Sequence, residues 1–234
     1  HYARRVESSN RVKLFKAKDS KKDQSYFLFA TLIEQLNYLR FPLGDYLKSE
    51  IRDIAKKLNL SVKDKPDSQD ICFVTSSSYR DLIDKLRPDL NVNGNFLNME
   101  EKIIGLHNGI ANYTVGQRKG LGLGGLKNPL YVVKINKDNN TVYLGEKKDL
   151  KKSIIHLRDV NWLDNSFNKS NIKCFAKIRS TQKECSGVLR INEESSVFMF
   201  DEEISITSPG QACVFYLNDQ VLGGGWITKN STAI

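Results

Sequence analysis

Apolar positions in the first quarter of the chain recur at helical spacing. Between Gln24 and Leu39, the residues Phe29, Leu32, Ile33, Leu36 and Leu39 line one face of a 3.6-residue repeat, which predicts an amphipathic helix stopped by Phe41-Pro42-Leu43-Gly44. A second helix is expected over about 48–59, where Ile51, Ile54, Ala55 and Leu58 share a face and Lys48, Glu50, Arg52 and Lys56 point to water. Ahead of both, Arg11-Val12-Lys13-Leu14-Phe15 alternates as a strand does. A polar connector over 63–67 then leads to Ile71, Phe73 and Val74, a short buried strand by its apolar run. Ser78 with Asp81 gives a capping-box start to a helix carrying Tyr79, Leu82, Ile83 and Leu86, and Pro88 ends it.

From Val92 onward the period shortens to two and Gly and Asn supply the punctuation. Strands are expected at 96–97, 102–106, 111–115, 130–135, 141–144, 172–179, 186–191, 196–200, 211–216 and 220–226, with 130–135 and 141–144 forming a hairpin. The glycine-dense run 120–125 reads as a boundary. Strands without intervening helices predict a small closed barrel or sandwich over 127–234.

Composition narrows the function. At 234 residues, with 40% hydrophobic and 27% charged residues, the chain is long enough for one large domain or two to three small ones. No apolar run approaches the ~20 residues of a membrane span, so a membrane role is not expected. A net charge of +9 favours a polyanionic partner, because clustered Lys and Arg bind phosphates with release of counterions. Four cysteines, none in a CxxC, argue against a disulfide scaffold and a zinc site, and no His/Asp/Glu spacing suits another metal. The chain opens on His1-Tyr2-Ala3-Arg4-Arg5, without an initiator Met or a targeting segment, and is read as a fragment.

Candidate chemistry concentrates in Pro66-Asp67-Ser68-Gln69-Asp70-Ile71-Cys72-Phe73. Its thiol has no second cysteine within a hundred residues, so Cys72 is either a small buried apolar residue or a reactive group. Asp67 and Asp70 raise its pKa if their charges sit close, and cationic help has to come from elsewhere. The basic stretches 16–22 and Gln117-Arg118-Lys119 are candidates for that help or for phosphate contacts, and 147–152 reads as a solvated turn. Gly120-Leu121-Gly122-Leu123-Gly124-Gly125 has GxGxxG spacing but leads into a strand, which excludes the dinucleotide motif. His107 reads as a structural histidine; Gln211, in Ser208-Pro209-Gly210-Gln211, is a turn residue or a base reader, and Arg179 has the same ambiguity.

The segment 66–73 resembles the signature of the bacterial and organellar tRNA-specific 2-thiouridylases, the MnmA/TrmU family. Further blocks resemble that family in its order: residues 1–5, Lys22-Asp23-Gln24-Ser25-Tyr26-Phe27-Leu28, Phe41-Pro42-Leu43-Gly44, residues 113–122, Pro209-Gly210-Gln211 and Leu222-Gly223-Gly224-Gly225. The resemblance covers the whole chain. It implies a multidomain α+β architecture: residues 1–64 as the remnant of a Rossmann-like α/β ATP pyrophosphatase domain, 65–126 as a small central α+β domain, and 127–234 as an antiparallel β-barrel that helps hold tRNA.

The activity implied is tRNA 2-thiouridine synthesis by a sulfurtransferase. ATP, with Mg2+, adenylates the C2 oxygen of the wobble uridine, and a cysteine persulfide then delivers sulfur to C2. Cys72 stands at the persulfide position; a persulfide is more acidic than its thiol, which eases the difficulty with Asp67 and Asp70. The resemblance places His1, Lys22, Asp23, Gln24, Arg179 and Gln211 at tRNA-contacting positions, and Ser180 where the family usually has tyrosine. The family's ATP loop and second catalytic cysteine have no counterpart in the sequence, so the chain alone is expected to be inactive. A cysteine desulfurase or a sulfur relay protein is the implied donor, with a monomer in the cytoplasm or an organellar matrix as the expected setting. The alternative is a non-catalytic tRNA-binding module with a translation-factor-like barrel.

Overall fold

The computed structural model describes residues 1–8, 11–63, 86–87, 89, 91–124, 128–167, 171–191, 196–205 and 208–228. The expected strand at 71–74 and nearly all of the helix expected after Ser78 lie outside these residues. The chain forms two compact units, one of residues 1–66, 153–203 and 209–234 and the other of residues 67–152 and 204–208. No helix among the described residues is long and apolar enough to cross a membrane.

The first unit is built on β1 (Arg4–Ser8), β2 (Arg11–Phe15) and six strands from the second half of the chain. These six are β7 (Lys151–Trp162), β8 (Asn171–Lys177), β9 (Cys185–Ile191), β10 (Ser196–Ser205), β11 (Ala212–Leu217) and β12 (Gln220–Ile227). Their order β12-β11-β8-β9-β10-β7, with β7 returning to pair with β12, closes an antiparallel barrel, as the strand pattern predicts. Closure removes free sheet edges, which is how small all-β units avoid open backbone donors. β12 changes partner along its length: Gln220 and Val221 pair with β2, and Gly223 to Ile227 with β7. The change falls at Gly223, whose φ is 150° and where a Cβ would lie 2.1 Å from the Asn161 carbonyl oxygen.

The β7 strand was not legible in the sequence. Of its 12 residues only Ile155 and Leu157 are buried, so the apolar alternation is faint. The helix expected over 24–39 is replaced by a 3₁₀ turn, Ser25–Leu28, and a short helix α1, Ile33–Tyr38. The cause is long-range: the Asn161 side-chain amide donates to the carbonyls of Phe29 and Thr31 at 2.7 and 2.9 Å, acceptors that a continuous helix would use in its own ladder. Of the predicted apolar face only Phe29 and Leu36 are buried, and Leu32 is 51% exposed. α2 (Lys48–Lys57) forms close to the expected bounds, and the Asp19 carboxylate accepts from the Lys48 amide at its first turn.

The core of this unit joins the N-terminal segment to the barrel. Ala3, Leu14, Tyr26, Phe29 and Leu36 pack with Leu163, Ala212, Val214, Tyr216 and Val221. Phe29 meets Trp226 edge to face at 5.1 Å, and a Cβ on Gly224 would lie 2.6 Å from the Phe29 ring. The glycine run 223–225 thus makes room both for β7 and for this ring.

The second unit carries a four-stranded sheet in the order β4-β3-β6-β5, with β3 (Gly94–Leu97), β4 (Ile103–His107), β5 (Tyr131–Asn136) and β6 (Thr141–Gly145). The β5–β6 hairpin, which a boundary at 127 assigns to the barrel, is hydrogen-bonded here, through a parallel pairing of β6 with β3. Phe96, Ile110, Leu121, Val132, Val142 and Leu144 form its core. The strand expected at 111–115 is instead a 3₁₀ turn, Ile110–Asn112, and a loop, because Gly109 and Gly116 take φ of 97° and 89° and bend the backbone on either side.

Candidate nucleic-acid interface

The residues assigned to RNA contact fall on segments that leave or precede strands of the first unit. Loop 16–24 is organised by two carboxylates. Asp23 accepts from the Ala17 and Ser25 amides at 3.0 and 3.2 Å and from the Ser25 hydroxyl at 2.9 Å. Asp19 accepts from the Lys21 and Lys48 amides at 3.1 and 3.0 Å, and the Lys48 amide bond leads the contacts that hold its pKa below the ordinary value. Asp23 therefore spends both oxygens on the loop, and its part is to shape the backbone around Lys22 and Gln24. Gln24 makes a reciprocal pair with Tyr2: the Tyr2 amide donates to Gln24 Oε1 at 2.9 Å, and the Gln24 amide donates to the Tyr2 carbonyl at 2.8 Å. This fixes exposed His1 beside the tripeptide.

The second group sits where β8 ends and β11 begins. β8 and β11 are antiparallel neighbours, with Val214 opposite Lys177, so Arg179 and Ser180 leave β8 at the end where Gln211 enters β11. Gln211 follows the turn at Gly210 (φ 89°), and its carbonyl accepts from the Ile227 amide at 2.8 Å. Its backbone serves the turn while its side chain is exposed.

Tyr26 connects the two groups. Its hydroxyl donates to the Ala212 carbonyl at 2.8 Å, next to Gln211 and two residues after Gln24 in sequence. Burial pushes the phenol up to about 12, the Cys213 thiol adds to this, and Arg179 works against it, so the guanidinium lies within electrostatic reach of that hydroxyl. The sequence did not single out Tyr26; its signal was an aromatic pair one residue beyond Lys22-Asp23-Gln24.

Several cations of the basic stretches are already paired. Lys16 meets Glu184 at 2.6 Å and Asp219 at 3.7 Å, and Lys18 meets Glu50 at 3.4 Å. Lys21, Arg118, Lys119 and Arg179 are exposed and make no ion pair among the described residues. In Gln117-Arg118-Lys119 the glutamine closes its own loop, accepting from the Thr114 amide and donating to the Lys119 carbonyl, both at 3.0 Å.

Three family models match consecutive parts of the chain. They are described as a tRNA methyl transferase HUP domain over 1–76, a tRNA methyl transferase PRC-barrel domain over 80–146 and an aminomethyltransferase beta-barrel domain over 152–227. Among curated proteins, the tRNA-specific 2-thiouridylase MnmA of Neorickettsia sennetsu is 46% identical over 228 residues, covering 97% of this chain and 61% of that protein. The MnmA proteins of Ehrlichia canis and Rickettsia prowazekii are 46% and 45% identical over 97% and 98% of the chain. The chain belongs to the MnmA family. It spans 62% and 64% of the length of the Ehrlichia and Rickettsia relatives.

Cys72, the thiol singled out as reactive for an MnmA-family chain, lies outside the described residues. Two cysteines of the barrel, Cys174 and Cys213, are unsuited to the task. Burial alone pushes the Cys174 thiol up to about 12, and burial, with the Cys174 thiol nearby, holds that of Cys213 well above its ordinary value, so neither forms a thiolate near neutrality. No cluster of His, Cys, Asp and Glu among the described residues is arranged to hold a metal ion.

The one glycine of residues 1–63 is Gly44, where a Cβ would lie 1.8 Å from the Ala3 carbonyl oxygen, so the position is filled by packing.

Proposed function

We propose that this chain serves tRNA 2-thiouridine synthesis as the part of an MnmA-type sulfurtransferase that carries sulfur and holds the RNA. The supporting observation is the 46% identity to named tRNA-specific 2-thiouridylases along 97% of the chain. In this reading Cys72 bears the persulfide: its terminal sulfur attacks C2 of the wobble uridine, the activated oxygen leaves, and a second thiol of the complete protein then takes the Cys72 sulfur into a disulfide, releasing the sulfur on C2. His1, Lys22, Gln24, Arg179, Ser180 and Gln211 contact tRNA, and Asp23 shapes the loop that presents its neighbours. Recognition of a loop nucleotide needs basic groups around one splayed base, and the barrel end supplies a stiff frame for them. The donor is taken as a cysteine desulfurase or relay protein, and the setting as a cytoplasmic monomer. Activation of the oxygen by ATP and Mg2+ is assigned to no described residue, so the chain alone is expected to bind tRNA without thiolating it.

Cys72→Ser in the complete protein is expected to abolish 2-thiouridine, read by nucleoside mass analysis, while tRNA affinity stays within about twofold, since a thiol-to-hydroxyl change removes no cation. Full thiolation by that variant would sink the assignment. Incubation of the chain with a cysteine desulfurase and cysteine should add one sulfur to Cys72. No added mass would favour the non-catalytic tRNA-binding module.

A further inference from the structure

In the segment Tyr26-Phe27-Leu28-Phe29, the fold buries two aromatic rings and leaves the third in water. A 3₁₀ turn repeats every three residues, so Tyr26 and Phe29 face the core together, at 6% and 4% exposure, and Phe27 turns outward at 62%. A single exposed apolar side chain carries no meaning by itself. Phe27 differs in being firmly supported. Its amide donates to the Gln24 carbonyl at 3.1 Å, and its ring stands edge-on to Tyr26 at 5.4 Å and 87°. Tyr26 is in turn fixed to the Ala212 carbonyl, and Phe29 is locked against Trp226. The ring is thus presented on a rigid support.

Its surroundings are those of an RNA surface. Lys22-Asp23-Gln24 ends three residues before it, Gln211 adjoins the carbonyl that holds its neighbour, and the charge of Arg179 reaches the Tyr26 hydroxyl. We propose that Phe27 is a stacking platform that receives the face of one unpaired nucleobase of an RNA loop, while Lys22 and Arg179 engage the flanking phosphates. Every base has a π-face, so such a platform holds a splayed nucleotide without reading its identity. This rests on the reading that the surface binds tRNA.

The test uses the full chain and an unmodified anticodon stem-loop RNA, with Kd measured by fluorescence anisotropy over a salt series. Phe27→Ala is expected to weaken binding about tenfold with an unchanged salt slope, and Phe27→Trp to restore it. Lys22→Ala should instead reduce the slope by about one. A set of stem-loops, each lacking one loop base, should contain one member for which Phe27→Ala costs nothing further. Equal binding of Phe27→Ala and the parent chain overturns the platform, and so does an equal penalty on every abasic RNA, which would mean a structural role or a surface meant for a protein. If Lys22→Ala and Arg179→Ala still weaken binding in those cases, the tRNA interface stands without Phe27. If neither does, the interface reading itself falls.

Discussion

The two units treat their polar residues differently. In the barrel unit the residues assigned to RNA stand on turns and strand ends, and strands with long-range anchors hold the backbone beneath them. Gln211 and Arg179 keep exposed side chains because main-chain bonds and core packing do the structural work. In the four-stranded unit two of the singled-out polar residues, His107 and Gln117, are consumed by the fold, while Arg118 and Lys119 stay exposed. His107 is 1% exposed; its Nε2–H donates to the Asn140 carbonyl at 3.1 Å and its Nδ1 accepts from the Gly109 amide at 3.2 Å. Gln117 closes its own loop. A motif residue is available to a ligand only where its hydrogen bonds are not already spent.

The contrast is sharpest at two phenylalanines two residues apart. Phe29→Ala, which empties the space against Trp226 and Gly224, should cost about 4 kcal/mol, whereas Phe27→Ala should change stability by no more than about 0.5 kcal/mol. Both tryptophans of the sequence, Trp162 and Trp226, belong to the barrel unit, so denaturation followed by their emission reports that unit. Equal losses would remove the distinction between support and presented surface. Gly223→Ala comes next, at about 3 kcal/mol by the same measurement, because the new Cβ meets the Asn161 carbonyl where β12 changes partner.

Acid should separate the units more gently. Asp164 is buried; burial alone would raise its pKa, but the Ser166 hydroxyl and amide, Gln220 and Lys13 outweigh it and hold the carboxyl at about 2. The folded value lies below the ordinary one near 4, so this contribution is complete above about pH 4 and is lost as pH falls through about 2. Asp164→Ala should cost about 2 kcal/mol at neutral pH, with unpaired Lys13 and Gln220 left behind, and should flatten that acid limb of tryptophan emission.

The smallest effect belongs to His107, in the other unit. Burial lowers its pKa, and the Asn140 carbonyl opposes this only in part. The neutral ring is the folded form, so its stabilisation is present above the ordinary value near 6.5 and declines as pH falls below it toward the lowered folded value. Amide exchange at Phe96 and Val142 should quicken over that range, and His107→Gln should remove the dependence. An unchanged profile in that variant would mean that the ring is no part of the pH response.

Much of the barrel was legible because β8 and β9 alternate in burial and β11 is a continuous apolar run. Residues 24–39 misled for a physical reason: their spacing suits a helix, but Asn161, more than 120 residues away, takes two of the carbonyls that the helix needs. The β5–β6 hairpin was legible as a hairpin but not in its sheet, since local alternation does not state which strand will lie alongside. At the candidate site, the assigned residues came from motif blocks, while Tyr26 and Phe27 did not stand out. Adjacent aromatics look alike until long-range packing buries one and exposes the other.

By itself, then, the sequence determined the family, the run of strands, the basic character and the choice of Cys72 as the thiol to watch. These depend on residue identity, local period and net charge. Only the tertiary structure decided that Asp23 shapes a loop, that His107 and Gln117 are spent, that Cys174 and Cys213 are held as thiols by burial, and that Phe27 is held out while Phe29 is packed in. Hydrogen-bond satisfaction and burial are set by partners distant in the chain, and no local pattern encodes them.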